Sequence, residues 1–250
     1  MHTFTKPAFP AVDIDGNFLV GTSPFKLLGI APSSITRNGF RCLEQFHIRK
    51  SILSTFLDLS DLAQGIDIVA PRSEDSLTRD KILDARNLVE YRFLMLPLTT
   101  DPLSAIVDIP EEDMDNETAN AAMTLYEACW LTACIFTTNV TFPIPSIRRY
   151  RVKQVQQLSF ALTSTENIAR EYREVNELHL WCTMIGGIAA EDIDPAIRSW
   201  WAARVRQLCE ALDLQTWSEV QQLMRSFAWT NLACDHGGSR LWAETGLGGD

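Results

Sequence analysis

The chain has 250 residues, enough for one large or two small domains, and its 46% hydrophobic content supplies a sizeable core and excludes disorder over most of its length. A net charge of -10, from 32 acidic against 22 basic residues, excludes a protein whose main task is gripping a phosphate backbone, because that affinity comes from neutralising phosphates with Lys and Arg. The six cysteines, Cys42, Cys129, Cys134, Cys182, Cys209 and Cys234, include no C-x2-C pair, so they point to buried free thiols in a reducing compartment and away from a structural zinc site.

In chain order, residues 1–41 are rich in Pro, Gly, Ser and Thr and read as a loosely structured extension. A short strand at Phe18, Leu19 and Val20 and a helical turn at Phe25, Lys26, Leu27 and Leu28 are its only expected elements. Residues 42–250 read as a single helical domain. Apolar residues at Leu43, Phe46, Ile52, Leu53, Phe56, Leu57 and Leu62 share one helical face, and a connector with Gly65 and Pro71 follows. The next helix, capped by Asp75 or Ser76, stops near Leu96 because Pro97 biases its predecessor away from the helical region. Residues 101–115 are acidic, carry Pro102 and Pro110, and predict an exposed loop.

Residues 116–138 return to helix, polar at first and then apolar through Leu125, Trp130, Leu131 and Phe136. After Pro143 and Pro145, residues 146–162 give another amphipathic pattern. Thr163 and Glu166 fit a capping box, in which hydroxyl and carboxylate each take up a free backbone amide. The helix opened there leads into residues 178–190, an uncharged run that predicts a buried helix, since it falls well short of the ~20 residues needed to span a bilayer. Within that run, Gly186 and Gly187 predict a close approach by another backbone or the end of a turn. Asp194 caps a further helix with Pro195 at its first position, and Ile197, Trp201, Val205, Leu208 and Leu212 line one face. Thr216 and Glu219 form a second capping box. Asp235, His236, Gly237 and Gly238 end the helical series, and Leu241 to Glu244 form a last short piece. The predicted fold is all-α, a multi-helix domain behind an irregular N-terminal extension.

The motif search finds no G-x-S-x-G, G-x-G-x-x-G or G-x4-G-K-[ST], the usual sequence support for serine-hydrolase, dinucleotide and P-loop chemistry. His179 and Cys182, three apart on a helix, could pair as base and nucleophile, although a hydrogen-bonded imidazole and a packed thiol are the simpler account. Arg148, Arg149 and Arg151 form a concentrated basic run able to touch phosphates or an acidic partner; the simpler account is a solvated helix face. Of the seven tryptophans, Trp181, Trp201 and Trp217 are expected in the core. Trp200, Trp229 and Trp242 join the three arginines as candidate contacts for a partner or effector. No catalytic, metal or cofactor-binding residue is assigned.

The order of residues adds a further reading. Leu180 and Trp181, Gly186 through Ala190, Arg198 through Trp201, Trp217 through Val220, Phe227 through Trp229, and Leu241 through Glu244 succeed one another in a pattern that resembles the C-terminal part of the fungal-specific transcription factor domain. That domain is the helical regulatory region accompanying a six-cysteine, two-zinc DNA-binding cluster, and the resemblance covers about residues 165–244. It implies regulation of transcription in the nucleus, or alternatively a cytoplasmic role, through a protein co-regulator, a small effector or a homodimer contact, with no active-site residue and no cofactor. The chain departs from the pattern in having only Cys42 among its first 128 residues, so no zinc cluster and no sequence-specific DNA binding of its own are expected, nor any membrane association. The alternative is an enzyme or small-molecule-binding protein on the same scaffold, which a deep Trp-lined cavity with a convergent His, Asp or Glu would favour.

Overall fold

The computed structural model describes residues 22–30, 38–72, 76–98, 100–141 and 148–247. Among them it is all-α, with one isolated antiparallel bridge, Ile48 to Val107, in place of any sheet. The helices are α1 (Pro24–Leu28), α2 (Lys50–Val69), α3 (Ser76–Met95), α4 (Asn116–Ile135), α5 (Arg148–Ser164), α6 (Glu166–Glu171), α7 (Arg173–Ala189), α8 (Pro195–Leu212), α9 (Trp217–Met224) and α10 (Asn231–Glu244).

The helical turn expected at Phe25 forms as α1. Ser23 Oγ accepts the Lys26 amide proton at 3.3 Å, and Gly29, at φ 70°, ends the turn in the left-handed region that glycine favours. This part of the extension is not loose, because Phe25 and Leu28 are buried and α1 packs on α2 and α3. The 3-10 segment Gly39–Phe46 likewise drives Phe40 into the centre, where its ring meets Trp181 at 4.9 Å, Phe56 at 5.3 Å and Phe227 at 5.3 Å. Large apolar side chains override the turn-rich composition here, since leaving a Phe in water forfeits roughly 1.5–3 kcal/mol. The strand expected at Phe18 lies outside the described residues.

α3 ends at Met95, ahead of Pro97 as its sequence requires. The stretch 101–115 departs from the exposed loop expected of it. Ile106 and Val107 are buried, and the segment is held by backbone bonds from Arg49 N–H to Ile106 O at 2.8 Å and from Asp108 N–H to His47 O at 2.9 Å. On either side of this buried pair the segment does face water, with Pro102, Ser104, Asp108 and Pro110 exposed. Asp115 then caps α4, its Oδ1 taking the Thr118 amide proton at 2.8 Å.

The capping box expected at Thr163 and Glu166 does not form. α5 runs on through Thr163, whose hydroxyl donates back to Ser159 O at 2.9 Å, and Glu166 turns instead to Arg204 at 2.9 Å. Tyr172, extended at φ −126° and ψ 118°, separates α6 from α7. From Leu178 to Gly187 every residue of α7 is buried, and around it lie α4, α5, α6, α8, α10 and the Gly39–Phe46 segment. Its glycines admit side chains, not a neighbouring backbone: Gly186 faces the Trp201 indole of α8, and Gly187 faces Leu241 of α10.

Asp194 and Pro195 open α8 as expected, with Asp194 Oδ1 accepting from Ala196 N–H at 2.8 Å. The box at Thr216 and Glu219 forms in both directions and opens α9. Asp235, His236, Gly237 and Gly238 do not end the series; they lie within α10, which continues to Glu244. Gly238 is seated against the rings of Trp217 and Trp229, and that packing offsets the roughly 1 kcal/mol that a mid-helix glycine costs. Asp67 of α2 clamps the start of α10 by accepting the Asn231 amide proton at 2.8 Å.

A methyl group at Gly186 would collide with the fully buried Trp201 ring, which has no room to withdraw. Gly186→Ala is expected to lower stability by about 1–3 kcal/mol, read as a lower urea midpoint with an unchanged slope.

Candidate functional site

Of the aromatic candidates, Trp200 alone stays at the surface, 36% exposed, with its ring edge-on to Trp201 at 4.7 Å. Trp229 and Trp242 are buried, at 1% and 6%, and present almost no surface to a partner. The physical reason is their place in the packing: Trp229 stands over α10 with Nε1 donating to Asp235 Oδ1 at 2.8 Å, and Trp242 belongs to the hydrophobic core cluster. Trp181 and Trp201 occupy the core as expected, and Trp217 is half-buried, tilted against Trp229 at 6.3 Å.

The basic run does not converge on one point. Arg148 and Arg149 are exposed at the start of α5, and Arg148 reaches the Ile193 carbonyl beyond α7, which makes it a tie between segments. Arg151 is half-buried, and its Nε has no hydrogen-bond partner among the described residues.

The His179 and Cys182 pair is not assembled for catalysis. His179 Nε2 lies 2.8 Å from Thr165 Oγ1, and the Thr165 hydroxyl sits within reach of Leu162 O at 3.1 Å and Ala161 O at 3.3 Å. With Thr165 donating to a carbonyl, Nε2–H donates to Thr165, and Nδ1 remains a buried acceptor with no partner among the described residues. Burial, aided by the nearby positive charge of Arg204, pushes His179 down to about 3. The Cys182 thiol points toward Ala128 O, 4.0 Å away, and the imidazole is turned to Thr165. Burial pushes the thiols of Cys42, Cys134, Cys209 and Cys234 up to about 12 and holds Cys129 well above the ordinary range, the reverse of what a thiolate nucleophile requires. Among the described residues there is no cluster of His, Cys, Asp or Glu suited to a metal ion, and no helix long and apolar enough to cross a membrane.

Polar groups do converge at a pocket of about 250 Å³ between α6, the first turn of α7 and α8. Its walls carry Glu166, Arg170, Asn176, Arg204 and Gln207. The Arg204 side chain is only 8% exposed, and its Nη1 lies 2.9 Å from Glu166 Oε1 and 2.7 Å from Gln207 Oε1. Burial lowers the affinity of Arg204 for its proton, the Glu166 charge works against that, and the Arg170 charge adds to it. Two guanidinium groups therefore line a pocket that holds one carboxylate, in a protein that is acidic as a whole.

Sequence reasoning missed this site, although a signal was present. Arg204 lies three residues after Trp201 and four before Leu208, which puts a charge on the apolar stripe of α8. A larger depression of about 420 Å³, lined in part by Ser51, Thr55, Asp58, Tyr91 and Arg92, lies between α2 and α3. Its guanidinium is already occupied, since Arg92 pairs with Asp58 and donates to Thr22 O at 2.6 Å.

Comparisons of the chain with protein-family models, curated proteins and solved structures find no match.

Because the folded chain resists protonation of His179 and the unfolded chain does not, the stability this histidine contributes is complete above about pH 6.5 and is lost as pH falls toward 3. In wild type, stability is expected to fall by about 1.4 kcal/mol per pH unit from this group as pH drops from 6.5 to 5, above the main carboxylate range. His179→Gln, which keeps an amide donor near Thr165, should flatten that segment of the profile in denaturant titrations at stepped pH.

Proposed function

We propose that the chain is a helical regulatory domain of the fungal transcription-factor type, working in the nucleus by binding a protein co-regulator or a small effector and making no covalent change in it. The observation that carries this reading is the succession of motifs from Leu180 to Glu244 together with the work those residues do. Trp181 Nε1 donates to Ala228 O at 2.8 Å, Gly186 seats Trp201, Glu219 closes the capping box of α9, and Glu244 takes two bonds from Arg198, at 2.7 and 3.0 Å. These four contacts cap a helix or tie separate segments together, as expected of a scaffold whose pattern serves assembly and leaves recognition to the surface. The neutral His179 and the raised thiols support the same reading, because the groups best suited to acid–base or nucleophilic work are committed to the core.

The runner-up, a small-molecule-binding protein or enzyme on this scaffold, draws on the Arg204 pocket. No tryptophan lines that pocket, and its one carboxylate, Glu166, is paired with Arg204, which favours binding over turnover.

Joined to a foreign DNA-binding module, the chain is expected to change the output of a reporter carrying that module's sites. An unchanged reporter would overturn the regulatory reading. Catalytic turnover by the purified chain, lost on replacing one polar side chain, would establish the runner-up in its place.

A further inference from the structure

We propose that the pocket between α6, α7 and α8 is a binding site for a small molecule carrying an oxyanion group, a carboxylate or a phosphate, held by Arg204 and Arg170. This deepens the effector half of the regulatory reading and rests on it for what the binding accomplishes; the binding itself is a property of the purified chain.

The argument begins with donors and acceptors. Arg204 offers five N–H donors, and the two protein oxygens facing it, Glu166 Oε1 and Gln207 Oε1, both lie at Nη1. Since Gln207 spends its oxygen on Arg204, its NH2 group adds a donor. Asn176, half-buried on the pocket wall, makes no side-chain hydrogen bond to a described residue. Arg170, exposed on the rim, has no ion-pair partner among the described residues. The lining is thus rich in donors and carries one net positive charge, which an oxyanion with several lone pairs would complete.

Burial strengthens the case. The cost of desolvating the Arg204 guanidinium is met by a single carboxylate whose own side chain is 33% exposed, and Arg170 opposes it. A second anion would relieve that opposition. The contrast with Arg198, six residues earlier on α8, is direct: Arg198 holds both oxygens of Glu244 and the Gly187 carbonyl, and has no need of a ligand. Size limits the occupant. A cavity of about 250 Å³ lies just below the ~300–1,000 Å³ range of pockets for drug-sized ligands, and so suits a compact metabolite anion.

Glu166 is the competitor in this scheme. It occupies part of the fork that the ligand needs, so removing its charge must strengthen binding, whereas removing Arg170 must weaken it. A purely structural Glu166–Arg204 bridge predicts no such pair of opposite effects.

The test is calorimetric titration of the full chain with inorganic phosphate and, separately, with succinate, at an ionic strength held constant with chloride. Saturable binding of phosphate alone identifies a phosphate-bearing effector, binding of succinate alone a carboxylate, and binding of both the shared oxyanion chemistry. Arg170→Gln, at an exposed position, is expected to weaken the affinity roughly five- to tenfold, and Glu166→Gln to raise it by about the same factor. Circular dichroism melts confirm that both variants are folded, and should one fail to fold, the other alone decides. The proposal is overturned if neither probe saturates the wild type or Glu166→Gln, or if a folded variant leaves the affinity unchanged. A reporter effect without anion binding would sink this inference and spare the regulatory reading; anion binding without a reporter effect would do the opposite.

Discussion

Between Leu178 and Gly187, α7 has no side left for water, and this requirement governs the arrangement of everything around it. A helix that is apolar all round must be enclosed by other elements, and here the enclosure is built from both ends of the chain: the Gly39–Phe46 segment, α4 to α6, and α8 and α10. The two glycines at its C-terminal end remove the side chains that would hold α8 and α10 at a distance. Several polar groups carried into the interior find internal partners, since one left unpaired costs about 1–3 kcal/mol, although His179 Nδ1 and Trp201 Nε1 have none among the described residues. Trp181 finds Ala228 O, Thr183 finds His179 O at 2.7 Å, and His179 finds Thr165. The turn before α6 and the turn after α9 are thereby fixed to the centre by single hydrogen bonds.

The edges of this enclosure are where charge enters. α8 brings two nearly buried arginines to its inner margin, and they meet different conditions. Arg198 is closed off by Glu244 and Gly187 O, a bidentate arrangement that suits a guanidinium taken out of water. Arg204 has a weaker acceptor set and a rival cation in Arg170. The first arginine acts as a fastening, and the second leaves the boundary between α6 and α8 short of negative charge.

Local chemistry of the backbone was the most legible part of the chain. Asp194 with Pro195 and Thr216 with Glu219 mark helix starts that form as read, because a cap is decided by residues within one turn of each other. The apolar stripe of α8 and the charge-free run in α7 likewise declared helices and burial. Readings failed where tertiary packing overrode local preference. Thr163 and Glu166 had the spelling of a cap, but Arg204 offered the carboxylate a stronger partner. Gly237 and Gly238 resembled a helix stop until the Trp217 and Trp229 rings filled the space above Gly238. Trp229 and Trp242 looked suited to contact with a partner because nothing in their local sequence shows that the segment before α10 and the last turns of α10 turn inward. The Arg204 pocket joins residues 166, 170, 176, 204 and 207, and no single stretch carries that convergence. A guanidinium on an apolar stripe was its only trace.

The Phe40 ring, edge-on to the stacked Trp181 and Phe227, joins points far apart in the sequence. As the chain leaves the ribosome, residues 38–72 can pack early on α1, α3 and α4, but part of their apolar surface stays uncovered until α7 and then Phe227 have emerged. The Asp67 clamp on Asn231 can close only after that point. Closure of this core therefore waits until α10 has been made, and until then the nascent segment depends on the protection of chaperones or runs the risk of self-association.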